Sequence, residues 1–177
     1  MAHEPFLKSQ SDRGPQTLSI DDVEHATIRS AIDYWRSVCG NRQFPARSDL
    51  TLRGLAVVLP YSLIVAVLDG GTDYEFRFVG DAECQAFKRN FKGMRITDVE
   101  RESPDFGKIL RATYERVRSS GTPFIVRGMV DHKPLIALLP YHESVFLPLG
   151  SAGSVDHILI VGVSVPWSRR READTLR

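Results

Sequence analysis

The sequence predicts an α+β domain: a five-stranded antiparallel sheet, a helical insert after the second strand and an N-terminal helix on the outer face. Three observations carry this. Residues 62–68 are a nearly continuous, β-branched-rich apolar run, followed by Asp69-Gly70-Gly71 and then by alternation over residues 74–79. Apolar run, glycine turn and period-two alternation spell a hairpin, because glycine reaches the positive φ that tight turns need. Second, apolar residues recur at helical spacing over 19–39 and 104–118. Third, the first strand and the strand expected at 157–165 lack a polar face. A strand apolar on both sides is covered on both sides, which calls for helices above and below one sheet.

Taken in order, residues 1–18 are polar, with Pro5, Gly14 and Pro15, and read as a disordered tail. Ser19 is the expected N-cap of a leading helix, with Asp21 and Asp22 favouring the positive end of its dipole. That helix runs to Val38 or Cys39 and stops at Gly40. Ile28, Ala31, Ile32, Trp35 and Val38 form its apolar stripe. Pro45 keeps Phe44 out of the helical region, and residues 50–59, interrupted by Gly54, read as a short helix or turn before the first strand. In the second strand Tyr74, Phe76 and Phe78 share one parity, and Glu75 and Arg77 the other. Asp81 is the expected cap of a helix through Phe87. Residues 97–102 read as a polar connector. Ser103-Pro104 starts a helix, since proline is tolerated at the first helical position, and Phe106, Leu110, Tyr114 and Val117 are its buried stripe. Strands are expected at 122–130, 141–149 and 157–165, with a turn at 150–153. The domain spans 19–166, and 167–177 is a basic tail.

The chain has 177 residues and a formal net charge of +1, a balance that favours neither nucleic acid nor an acidic membrane surface. No apolar run approaches the ~20 residues needed to cross a bilayer, and the N-terminus lacks the apolar core of a secretory signal. A cytoplasmic protein is expected, with Cys39 and Cys84 as free thiols.

Several short stretches occur in a recognisable order: Tyr34-Trp35, PARSDLTLRGL from Pro45, Leu59-Pro60, FRFVGD from Phe76, FKGMRITD from Phe91, Pro123 after Gly121, FLPLG from Phe146, and the entry to the last strand at Val155. As an ordered set they resemble the bacterial PAS-like family PAS_5, over residues 28–165. Where that family commonly has Gly-Thr after the FR-containing strand, this chain has Gly80-Asp81. The resemblance implies a sensory or interaction module with a pocket between sheet and helices and a dimerising outer surface. It implies no particular ligand, so the cofactor is unknown. A non-catalytic module that binds a small ligand, a partner protein or both is one expectation; a structural dimerisation module with a filled core is the other. No kinase or cyclase signature is present, so a separate signalling protein is expected to carry the output.

Phe76, Phe78, Phe87, Phe91, Met94, Leu110, Tyr114, Arg127 and Phe146 are the candidate pocket residues, and Arg127 or Arg95 is the candidate for holding an anion. The stripe residues Ile28, Ile32, Trp35 and Val38 are the candidate homodimer interface, because one helix is narrow for a five-stranded sheet. No catalytic residue is expected: there is no phosphate loop, nucleophile elbow, zincin motif or cysteine pair. GDAECQAF around Cys84 lacks the asparagine-cysteine-arginine core of flavin-linking PAS domains, and residues 104–118 lack the histidine of haem-binding ones. Neither haem nor covalent flavin is expected. His132 and His142 alone do not make a metal site, and Arg169, Arg170 and Arg171 read as a solvated run.

Overall fold

A computed structural model describes residues 16–128 and 141–165. Met129 and Val130, His132, the basic run at 169–171 and the first part of the expected tail lie outside the described residues. The sheet is antiparallel, in the order β1-β4-β5-β6-β2-β3. Its strands are β1 (Gln16–Thr17), β2 (Ser62–Leu68), β3 (Asp73–Val79), β4 (Phe124–Gly128), β5 (Tyr141–Ser151) and β6 (Ser154–Val165). The five expected strands form, and β1 adds a short edge. Gln16 and Thr17, expected in the tail, pair with Arg127 and Val126 instead, and the Leu18 amide donates to the Ile125 carbonyl at 3.0 Å. The polar edge of β4 is thereby satisfied.

The helices are α1 (Ala26–Cys39), α2 (Leu52–Leu55), α3 (Asp81–Phe87), α4 (Ile96–Glu102) and α5 (Pro104–Ser120). Ser19 caps only a 3-10 turn, Ile20–Asp22. The chain then extends, and the His25 ring accepts from the Thr27 amide at 3.2 Å to cap α1. The leading helix therefore begins six residues later than expected, capped at His25 rather than Ser19. Gly80, not Asp81, is the cap residue of α3. Residues 96–102 are helical: Ile96 and Val99, three apart, are both buried, and the Asp98 carboxylate accepts from the Arg95 amide at 3.1 Å.

Register assigns the two faces of the sheet. Phe146 pairs with Ile160, Ile160 with Leu63 and Leu63 with Val79, so these share what is here termed the inner face. Tyr114 of α5 reaches that face, its ring 6.1 Å from Phe146 and 5.4 Å from Tyr74. The intervening residues Val145, Leu147, Leu159 and Val161 occupy the outer face and are fully buried.

Helix α1 covers the outer face of its own chain. Ile28, Ile32 and Trp35 are buried there and Val38 is half-buried. The Trp35 indole donates to the Pro148 carbonyl at 2.9 Å. Glu143, on the same face, accepts from the His25 amide at 3.2 Å and from Arg127 at 2.7 Å. Those stripe residues were expected at a dimer interface. A single chain satisfies the same accounting of apolar faces. Odd parity on β4 sets Arg127, expected among the pocket residues, on the outer face, where it bridges Glu143, Glu24 and the Asp22 carbonyl.

Candidate functional site

The site lies between the inner face and helices α3 to α5. Its strand positions include the apolar residues Leu63, Val65, Phe76, Val79, Ile158 and Ile160 of β2, β3 and β6, with the phenol Tyr74 of β3 on the same face. Phe91 packs 5.5 Å from Phe76, and Phe87 meets Phe91 edge-on at 5.4 Å. Phe124 of β4 lies 6.1 Å from Phe146. Such tilted and edge-on pairs suit the ring quadrupoles.

A bulge changes which aromatics belong here. Ile64 pairs with Phe78 and Val65 with Phe76, leaving Arg77 as the extra residue. Neighbouring residues of β2 point to opposite faces, so Phe76 and Phe78 do too. Phe78, expected among the pocket residues, stands half-buried on the outer face. Simple alternation fails across one inserted residue.

Two polar groups stand among the aromatics. Glu83 of α3 is only 4% exposed, and its carboxyl makes no hydrogen bond among the described residues. Burial pushes its pKa up to about 8. Tyr114 is 1% exposed, and its hydroxyl likewise makes no hydrogen bond among the described residues. Burial, and then the charge Glu83 would carry if ionised, raise the phenol far above its ordinary value. At neutral pH both groups therefore hold their protons. Tyr74, the neighbouring phenol, is different: it donates to Glu115 at 2.7 Å, and Arg118 braces that carboxylate.

Helix α3 presents Glu83 because it is pinned tightly at its start. A side chain at Gly80 would meet the Pro60 and Leu59 carbonyl oxygens at 2.3 and 2.4 Å. Only glycine lets the chain pass that close and turn straight into the helix.

On β5, His142 and Ser144 share the inner face with Phe146 by parity, and the Ser144 hydroxyl bonds the His142 ring. Burial pulls the imidazole down to about 4, so it is neutral at physiological pH. Gly162 on β6 makes the room: a side chain there would come within 2.9 Å of the His142 ring. The adjacent acid, Glu143, lies on the opposite face and is held by Arg127 and His25. Serine, histidine and acid thus do not form a nucleophilic relay. The Cys84 thiol is half-buried and pushed up by burial and by Asp81 and Glu83, the reverse of an activated thiolate.

The family model PAS_5, described as a PAS domain, matches residues 23–163, from before α1 to the last strand. The chain belongs to that PAS family. No curated protein matches it. PAS domains are in general sensory and regulatory modules. Among the described residues, no helix is long and apolar enough to cross a membrane, and no three His, Cys, Asp or Glu residues gather at metal-binding spacing.

Of the candidate pocket residues, this PAS domain brings Phe76, Phe91, Tyr114 and Phe146 together in its interior, with Phe87, Met94 and Leu110 packed part-buried against them. Phe78 and Arg127 fall outside, and Arg95 is exposed. Glu83, His142, Ser144, Tyr74 and Phe124 were not among the candidates. Glu83 had a signal: it shares a helical face with Ala86 and Phe87, so an acid sits on the apolar stripe.

Proposed function

We propose that this PAS domain is a non-catalytic sensory module. It takes a small ligand between its inner sheet face and helices α3 and α5, and passes the occupancy of that site to a partner protein. One observation carries the reading: two polar side chains, Glu83 and Tyr114, are 4% and 1% exposed in an otherwise largely apolar interior, yet no enclosed side-chain oxygen or nitrogen among the described residues lacks a hydrogen-bond partner, so oxygens that make no hydrogen bond keep surface that a small molecule can meet. A purely structural role is the second reading, favoured by the ring cluster from Phe124 through Phe146 and Tyr114 to Tyr74.

Native mass spectrometry of gently purified protein separates the two. The sensory reading predicts a small-molecule adduct that is lost on denaturation and is absent from Phe146→Trp, whose larger ring fills the space. The mass of the unadorned chain for both proteins overturns it in favour of the structural reading.

A further inference from the structure

Independently of whether the inner face takes a ligand, we propose that residues 20–25 are a joint with two positions. It is bent where Arg127 and Glu143 clamp it. When the clamp opens it becomes continuous with α1 and draws Gln16–Leu18 off the edge of β4. The local sequence is written for an unbroken helix. Ser19 with Asp22 three residues on is the pattern of a helix start, and Asp21 and Asp22 suit the positive end of its dipole. Neither glycine nor proline interrupts the run from Ser19 to Cys39. Ile20 and Val23 continue the stripe of Ile28 and Ala31 at helical spacing. Yet the chain is helical only in the 3-10 turn at Ile20–Asp22 and again from Ala26. Between them Val23 and His25 are extended, with ψ of 124° and 126°.

At the break, side chains stand in for the helical hydrogen bonds. In a continuous helix the Asp22 and Val23 carbonyls would accept from the Ala26 and Thr27 amides, and the His25 amide would donate to Asp21. Instead the Asp22 carbonyl accepts from Arg127 at 2.8 Å and the Val23 carbonyl from Arg29 at 2.9 Å. The His25 amide donates to Glu143, and the Thr27 amide to the His25 ring, both at 3.2 Å. Two of these substitutes come from the sheet, where Arg127 and Glu143 pair at 2.7 Å with side chains 16% and 4% exposed. Desolvation offsets most of the attraction in such a pair, so the clamp is set against a helix that regains its own backbone bonds. Closing the break into helix shortens three residues from about 10 Å to about 4.5 Å, more than one residue's step along a strand. Gln16 and Thr17 pair with Arg127 and Val126, and the Leu18 amide with Ile125. They cannot hold that register and follow the joint, so the straight position leaves β4 an open edge, where a partner's extended strand can add.

Two readouts in the full chain test the joint: backbone carbon chemical shifts of residues 19–25 and hydrogen exchange of the Leu18 amide. Arg127→Leu combined with Glu143→Leu opens the clamp without leaving a lone buried charge. The parent should show extended shifts from Val23 to His25 and a protected Leu18 amide. In the double variant those residues should turn helical, and Leu18 should exchange at least about tenfold faster. Adding Glu24→Pro, which a helix interior does not tolerate, should abolish the helical shifts and restore part of the Leu18 protection. Extended shifts retained in the double variant, or the shifts of an unstructured segment, overturn the two-position joint. Helical shifts with an unchanged Leu18 amide, or no recovery of protection with Glu24→Pro, overturn its link to the β4 edge. Should the double variant fail to fold, Glu143→Gln carries the same reading, since it keeps an acceptor for His25 and removes the charge that Arg127 answers. Its Leu18 amide should exchange several-fold faster than the parent's, and equal exchange overturns the clamp.

Discussion

Phe76 and Phe78 are two residues apart on one strand yet face opposite ways, because Arg77 is bulged out between them. Their energetic weights should separate accordingly. Phe76 is 4% exposed and packs on Phe91, so Phe76→Ala should cost ~3–5 kcal/mol. Phe78 is half-buried on the other face, and Phe78→Ala should cost about 1–2 kcal/mol. Denaturant unfolding of the two variants measures both, and equal losses would place the two rings on one face after all. Gly162→Ala probes the inner face from the other side. Its new methyl meets the His142 ring at 2.9 Å and the Ser144 hydroxyl at 3.1 Å. Overpacking there should destabilise by about 1–3 kcal/mol; a variant as stable as the parent would mean that His142 is free to move aside.

Helix α1 is the element whose setting was least legible in the sequence. The stripe of Ile28, Ile32 and Trp35 was plain, and so was the need to cover an outer face made of Val145, Leu147, Leu159 and Val161. Whether the cover comes from the same chain is a matter of where the loop after α1 leads, and spacing carries no such information. In the structure that loop is tied down: the Gly150 amide donates to the Pro45 carbonyl at 2.9 Å, and the Trp35 indole to Pro148. Trp35→Phe keeps most of the apolar contact but leaves the Pro148 carbonyl unpaired, so it should cost about 1–3 kcal/mol. Thermal unfolding checks this. Trp35→Glu should unfold the chain rather than dissociate an assembly, and a folded Trp35→Glu protein of smaller size in light scattering would favour the interface reading. The strands were legible for the opposite reason, that period-two alternation is local. Helix α4 was missed because its buried residues are only Ile96 and Val99. It is held by charges from elsewhere: Arg111 of α5 reaches Glu100 at 2.7 Å and Asp73 of β3 at 3.3 Å. Such long-range partners leave no periodic trace.

At the scale of the whole molecule, the interior holds a carboxyl that burial keeps protonated and an imidazole that burial keeps neutral, and folding stability must respond to pH through both. Glu83 rises from an ordinary 4.5 to about 8 in the folded chain. Between those values the folded state binds the extra proton, so this stabilisation is complete below pH 4.5 and is lost as pH rises through about 8. His142 falls from 6.5 to about 4. Here the unfolded state binds the extra proton, so stability present above pH 6.5 is lost as pH falls towards 4. The two effects press from opposite sides, and the alkaline limb belongs to the carboxyl at the centre of the proposed site. The measurement that tests the account most directly is therefore the free energy of unfolding against pH for the parent protein and for Glu83→Gln, whose side chain has the same shape and no proton to lose. The parent should lose on the order of a few kcal/mol relative to the variant between acid and mildly alkaline pH, with the change centred in the window set by Glu83. Parallel curves across that window would contradict the account, because Glu83 would then keep its ordinary carboxyl behaviour in the folded chain rather than hold its proton by burial.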